Sequence, residues 1–148
     1  MYSFHPTIVL GFHGCDRVIG EKVLSGEIRL KNSSNDYDWL GHGIYFWENN
    51  PRRALEYART IKNNHERSTS RIKEEFVIGA IIHLGYCLNL LESKSLSIVK
   101  QGYSALVEAS QMRNLPLPAN KSIKEEGDVL LRRLDCAVIQ TVHTLRKE

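Results

Sequence analysis

His13 and Gly14 are the first residues of this chain whose types could bind a small polar molecule. They follow the apolar, β-branched run TIVLGF, Thr7 to Phe12, which predicts a buried strand. A neutral imidazole at a strand end can hydrogen-bond a sugar hydroxyl, and the N–H and C=O of a glycine can hold a carboxamide. The same residues also fit a plainer interpretation, a strand-end histidine whose ring bonds to a turn carbonyl.

Two tyrosines could enclose a flat ring. Tyr45 lies in a predicted strand, Gly41 to Trp47, and Tyr57 lies in the helix that Asn50 caps and Pro51 begins. Because a helix packed on its own strand turns its inner face over that strand, the two rings can come together. Offset stacking contributes roughly 0.5 to 1.5 kcal/mol per aromatic pair beyond area burial, enough to orient a ligand ring. Two tyrosines of an ordinary core give the same pattern.

The elements that position these residues alternate between strands and helices. A short helix with Asp16 as its N-cap and Gly26 just past its C-terminus follows the first strand, and a polar loop over Asn32 to Trp39 leads to the second. The sequence pattern then predicts one long bent strand or a hairpin over 75–91, a helix from Lys94 and a last helix over 125–145. About four strands and four helices in one domain, 1–148, place the chain in the α+β class.

Composition narrows the class of protein. The chain has 20 Lys and Arg against 17 Asp and Glu, a formal charge of +3 that slightly favours an anionic ligand or nucleic acid. Arg52 and Arg53 open a helix, where they could face a pyrophosphate, an acceptor or solvent. No apolar run of about 18 residues and no leader peptide is visible, which predicts a cytoplasmic protein without a membrane partner. Its three cysteines form no C-x-x-C pair, so no metal is expected.

Three stretches together resemble the landmarks of the ADP-ribosyltransferase fold. They are FHGC at 12–15, GHGIYFWENNPRRALEYA at 41–58 and FVIGAIIHLGYCLNL at 76–90. The similarity is to the histidine-tyrosine-glutamate branch, which includes diphtheria-toxin-like enzymes and poly-ADP-ribose polymerases. It covers roughly residues 7–91. The resemblance implies a split β-sheet core with flanking helices.

The resemblance also implies a site for NAD, as substrate and without a metal. In that branch a His-Gly pair, matched by His13 and Gly14, binds the ribose and the nicotinamide amide. A G-x-G-[IV]-Y-F strand carries one tyrosine, and the next helix carries a second; the two sandwich the nicotinamide. The expected catalytic residues are therefore His13 and Tyr45, and the expected NAD-binding residues are His13, Gly14, Gly43, Tyr45, Phe46 and Tyr57.

The third landmark of the family has no clear match. It is a carboxylate on a late strand, which binds a ribose hydroxyl and stabilises the oxocarbenium-like state as nicotinamide leaves. Asp135 lies in a helical pattern, while Glu74 and Glu75 precede a strand on the wrong side of the order. Either another residue serves, or the chain stops before the C-terminal strands that carry the acid. We expect the second.

The resemblance implies a mono-ADP-ribosyltransferase that passes ADP-ribose from NAD to a macromolecular acceptor, which is protein, RNA or DNA. Bacterial toxin-type members of the family suggest a toxin or phage-defence effector, with an antitoxin as a candidate partner. The alternative is a non-catalytic NAD- or ADP-ribose-binding module, or a protein-interaction remnant of that fold, which the missing carboxylate favours. A tRNA 2′-phosphotransferase shares the fold but needs a cluster of Arg and His that this sequence does not show.

Overall fold

A computed structural model describes residues 8–63, 72–122 and 131–146 of the chain. Within these residues lie four helices and a three-stranded antiparallel sheet, so the protein is of the α+β class. The chain divides into two compact units. Unit 1 is Met1–Lys31 with Ile44–Cys87, and unit 2 is Asn32–Gly43 with Leu88–Glu148. One domain over 1–148 stays a prediction, and each unit is described by itself.

The sheet of unit 1 is built on a central strand. This strand, β1 (Ile8–Asp16), has β2 (Trp47–Glu48) on one side and β3 (Glu75–His83) on the other. β3 pairs with β1 along its whole length, in antiparallel register. β2 pairs only with Gly11 and Phe12. The ladder on the β2 side of the central strand therefore ends at Phe12.

β1 confirms the predicted first strand from Ile8 onward and extends it; Thr7 lies outside the described residues. The expected burial is wrong for part of this segment, since Ile8 and Leu10 are exposed. The strand continues through His13 and Gly14 because β3 provides a partner for every residue as far as Asp16. His13 is therefore held within a paired strand rather than at a strand end.

The two helices of unit 1 begin where their capping residues predict. Asp16 accepts a backbone N–H at 3.0 Å at the start of α1 (Arg17–Leu24), and Gly26 beyond its end has φ +78°. Asn50 accepts a backbone N–H from the first turn of α2 (Pro51–Asn63) at 3.0 Å. Both predicted helices are confirmed.

The helices cover opposite faces of the sheet. Ala54 and Ala58 of α2 are 0% exposed and lie over Gly14, where a Cβ would meet the Ala54 carbonyl oxygen at 2.1 Å. The backbone of α2 therefore approaches β1 so closely that only glycine fits. On the other face, a Cβ at Gly20 of α1 would lie 3.3 Å from the sulfur of Cys15.

The predicted strand Gly41–Trp47 is wrong over most of its length. Of these residues only Trp47 enters the sheet. Gly41 has φ +78°, a conformation in which an extended strand cannot continue. Gly43 forms an isolated bridge with Ser33 instead.

The predicted strand 75–91 is right only as far as His83, where β3 ends. Gly85, with φ +54°, turns the chain away two residues later. Gly79 lies inside β3 without a bulge, since the register with β1 runs through it unbroken. The described residues thus hold three strands rather than about four.

Unit 2 holds two helices, α3 (Ser93–Met112) and α4 (Arg133–Leu145), which confirm the helical periods predicted for these segments. Residues 125–130 of the predicted last helix lie outside the described residues. The helices pack closely, because a Cβ at Gly102 of α3 would lie 2.4 Å from a methyl group of Val142. No described helix is both long and apolar enough to cross a membrane.

Candidate functional site

A hydrogen bond fixes the ring of His13 on β1. Its Nδ1 lies 2.8 Å from the backbone carbonyl oxygen of Tyr45. Because a carbonyl oxygen can only accept, Nδ1 carries the proton and Nε2 of the neutral ring remains as an acceptor. The ring of Phe46 lies beside the imidazole, with centroids 5.7 Å apart and planes tilted by 55°. The contacts therefore set both the tautomer and the orientation of the imidazole.

The backbone of Gly14 points toward the β2 side of the central strand. Leu10 accepts the N–H of Asn49 on that side at 2.8 Å. Alternate residues of a strand direct their N–H and C=O groups the same way, so Gly14 shares the direction of Leu10. Since β2 pairs only with Gly11 and Phe12, the N–H and C=O of Gly14 lie beyond the last pair of that ladder. A carboxamide could pair with the strand at this edge.

Tyr57 lies on the opposite face of the sheet from His13. Trp47 pairs in register with Phe12, the neighbour of His13, so Trp47 and His13 point to opposite faces. The Tyr57 ring packs against Trp47 with a centroid distance of 6.4 Å. The structure thus brings together His13, the Tyr45 carbonyl and Phe46 on one side, and Trp47 and Tyr57 on the other. A ligand that touches both His13 and Tyr57 must pass the sheet edge at Gly14.

Trp47 contacts two side chains of α2. The guanidinium carbon of Arg53 is 5.1 Å from the centroid of the Trp47 ring, and Tyr57 follows one helical turn after Arg53. Sequence reasoning paired Tyr57 with Tyr45 and missed its contact with Trp47. The signal was present in the i, i+4 spacing of Arg53 and Tyr57, which puts both side chains on one face of the helix. The sandwich of a ligand ring between Tyr45 and Tyr57 stays a prediction.

Gly43 belongs to unit 2, where its backbone closes the loop 32–43. Its N–H donates to the carbonyl of Ser33 at 3.1 Å, and its own carbonyl accepts from the N–H of Ser33 at 2.7 Å. A Cβ at Gly43 would meet no atom within 4 Å. Both of its backbone groups are thus engaged within the loop, while the space on its Cα side is open.

Polar partners hold two of the acidic residues that were candidates for the catalytic carboxylate, Glu75 and Asp135. Glu75 pairs with Lys62 at 2.6 Å, and this hydrogen bond is the main cause that lowers the pKa of Glu75 to about 2. Asp135 lies in the first turn of α4 and accepts from Asn120 at 2.8 Å and from Arg132 at 3.2 Å.

The carboxylate of Asp16 has a role that its sequence position did not reveal. One oxygen caps α1, and the other accepts the backbone N–H groups of Lys73 at 2.7 Å and Glu74 at 3.2 Å. Burial acts to raise the pKa of Asp16, but these N–H groups outweigh it and hold the pKa below its ordinary value. Asp16 therefore ties the end of β1 to the chain that enters β3.

Comparison of the chain with protein-family models, curated proteins and solved structures gives no match. The likeness to ADP-ribosyltransferases therefore rests on the three motifs. Within the described residues, no three His, Cys, Asp or Glu side chains come together in a way that could hold a metal ion.

Proposed function

We propose that this protein binds NAD and transfers its ADP-ribose group to a macromolecular acceptor, as a mono-ADP-ribosyltransferase. One observation carries the proposal: the hydrogen bond from His13 to the Tyr45 carbonyl leaves Nε2 to accept from a ribose hydroxyl. The family resemblance supplies the identity of the ligand. On this proposal the sheet β2-β1-β3 is part of an ADP-ribosyltransferase-like split sheet.

The proposed chemistry needs a fixed sugar and a fixed leaving group. His13 holds the ribose, and the backbone of Gly14 holds the nicotinamide carboxamide at the free edge of the strand. Tyr45 and Tyr57 enclose the nicotinamide where it passes the strand edge at Gly14, and Phe46 flanks the His13 ring. The role of Gly43 in binding NAD stays a prediction. The bond between the ribose C1′ and the nicotinamide nitrogen breaks, and its electron pair leaves with nicotinamide. The acceptor then attacks C1′ and loses its proton. Binding already fixes the sugar and the nicotinamide, so their translational and rotational entropy is lost before the chemical step and does not add to its barrier.

A second candidate is a module that binds NAD or ADP-ribose without catalysis. The observation that favours it is the state of the acids: Glu75 and Asp135 both carry a basic partner within hydrogen-bond distance. A carboxylate neutralised in this way contributes little to stabilising an oxocarbenium-like state. This candidate predicts NAD binding without release of nicotinamide.

One experiment separates the two candidates. The protein is incubated with NAD that is labelled in the adenylate phosphate, with and without a cell lysate, and free nicotinamide is measured in parallel. A transferase releases nicotinamide and leaves label on protein, RNA or DNA. The binding module retains NAD on a filter and releases no nicotinamide. Absence of both binding and release contradicts both candidates.

The resemblance to toxin-type members of the family also suggests a cellular role. We propose that the protein acts in the cytoplasm as a toxin or phage-defence effector, with an antitoxin as a candidate partner. Co-purification of the chain with a neighbouring gene product that blocks nicotinamide release would support this role.

A further inference from the structure

Arg53, Trp47 and Tyr57 form an exposed cluster, with the two aromatic rings tilted by 55°, on the face of the sheet that α2 covers. The Trp47 ring is 5.1 Å from the Arg53 guanidinium carbon and 6.4 Å from the Tyr57 centroid. Trp47 is 36% exposed and Tyr57 is 49% exposed. An arginine and two aromatic rings grouped at the surface offer flat faces to a ligand.

Basic side chains outnumber acidic ones along α2, the helix that carries Arg53 and Tyr57 of this cluster. Among the residues that the structure describes, four basic side chains of α2, Arg52, Arg53, Arg59 and Lys62, pair with two acidic ones. Glu56 serves both Arg52 and Arg53, and Glu75 serves the other two. The helix therefore keeps an excess of positive charge.

Glu48 is next to this cluster in sequence but does not reduce the positive charge of the cluster directly. Glu48 follows Trp47 within β2, and successive side chains of a strand point to opposite faces. Trp47, Tyr57 and Arg53 thus share one face, where Glu56 pairs with both Arg53 and Arg52. This combination binds the bases and phosphates of nucleic acid.

We infer that Arg53 and Trp47 of this cluster bind single-stranded nucleic acid. Stacking on aromatic rings and on guanidinium planes needs the faces of unpaired bases, which a duplex hides. Arg52, whose side chain is 89% exposed, then lies on the same turn of the helix to contact the phosphate. The inference rests on the proposed function only in making this strand the acceptor of ADP-ribose.

The chain offers a matched pair of tryptophans for the test. Trp39 is also exposed and also has an arginine over its ring, with Arg132 at 5.0 Å, but it belongs to unit 2. Binding of fluorescein-labelled ten-residue oligo(dT) and oligo(rU) is followed by anisotropy, without NAD. We expect Trp47→Ala to weaken binding by about 5- to 100-fold and Trp39→Ala by less than about twofold. Binding of either DNA or RNA supports the inference.

A second variant tests the inference even if Trp47→Ala does not fold. Arg52→Gln with Arg53→Gln changes two exposed side chains and should lower the slope of log affinity against log salt by about 1.4. Lys100→Gln with Arg113→Gln removes the same charge from unit 2 and should leave the slope unchanged. Equal slopes for the two double variants would overturn the inference.

Other results would also overturn it. These are no oligonucleotide binding, unchanged binding by Trp47→Ala, binding of duplex as tight as that of single strands, or competition by AMP at the concentration at which the strand binds. A chain that binds the strand but releases no nicotinamide contradicts the proposed function alone. A chain that modifies protein but binds no strand contradicts this inference alone.

Discussion

The imidazole of His13 donates its Nδ1 proton to the backbone carbonyl of Tyr45 across 2.8 Å. This bond joins the central strand of the sheet to a segment 32 residues further along the chain. It forms beyond Phe12, which is the last residue of β1 that pairs with β2. The carbonyl of Tyr45 thus orients the candidate ribose-binding group.

The first prediction concerns the tautomer of His13. At about pH 9, nitrogen-15 NMR should show Nδ1 protonated and Nε2 unprotonated. Addition of NAD should shift the Nε2 resonance most, since that nitrogen accepts the ribose hydroxyl. His83, exposed at the end of β3, serves as the control and should not respond. A His13 ring protonated on Nε2 would contradict the geometry of the site.

The second prediction uses two glycines of the predicted NAD site. A Cβ at Gly14 would lie 2.1 Å from the Ala54 carbonyl oxygen, so Gly14→Ala must displace α2. We expect the free energy of unfolding to fall by about 3 kcal/mol, measured by urea denaturation.

Gly43→Ala is the matched control for this change. Gly43 has no neighbour within 4 Å of a Cβ and does not adopt a left-handed conformation, so its substitution should change stability by no more than about 0.5 kcal/mol. Equal effects of the two substitutions would show that α2 does not rest on Gly14 as described.

The third prediction concerns the start of α2, which carries Tyr57. Asn50→Ala removes the side-chain oxygen that accepts the N–H of Arg53 at 3.0 Å. It should lower the free energy of unfolding by about 1 kcal/mol. Asn63→Ala, at the other end of the same helix, should change it by less than about 0.5 kcal/mol. If urea denaturation gives equal values, Asn50 does not cap the helix.

The fourth prediction is a pH dependence of stability. The hydrogen bond from Lys62 is the main cause that lowers the pKa of Glu75 from 4.5 to about 2. A carboxyl group with a lowered folded pKa stabilises the protein above its unfolded pKa, and that contribution is lost as pH falls through the folded value. Wild type should therefore lose stability between pH 4.5 and about pH 2, and Glu75→Gln should lose less over the same window.

Urea denaturation at several pH values in this window tests the fourth prediction. Glu108→Gln, on the exposed side of α3, is the control and should follow the wild-type curve. A Glu75→Gln curve parallel to that of wild type would contradict the role of the Lys62 pair.

The helices were predictable because their signals are local. Asp16, Asn50 and Pro51 mark helix starts through groups that bond within a few residues, and the structure begins α1 and α2 there. Strand lengths were less predictable, since a strand needs a partner that the sequence does not name. The segment after Gly41 has strand-forming residues but pairs with β1 only at Trp47 and Glu48.

The site was predictable in residue types and less so in contacts. His13 could be singled out by its neighbours, but its partner is a backbone carbonyl, which carries no sequence signal. Gly14 was expected to admit a ligand; the structure shows that its missing side chain admits α2, while its backbone N–H and C=O lie at the strand edge. The ring contact of Tyr57 with Trp47 depends on which residue of β2 faces the helix. Because β2 has only two residues, its alternation of apolar and polar side chains is too short to predict which one does.

Release of nicotinamide from NAD by wild type, His13→Ala and His83→Ala tests the central claim most directly. The hydrogen bond of His13 to the ribose should be lost in His13→Ala, so release should fall at least about 10-fold. His83→Ala, which changes an exposed residue at the end of β3, should release nicotinamide at the wild-type rate. Release by His13→Ala at the wild-type rate, or no release by wild type, would contradict the proposal that His13 holds the ribose for ADP-ribosyl transfer.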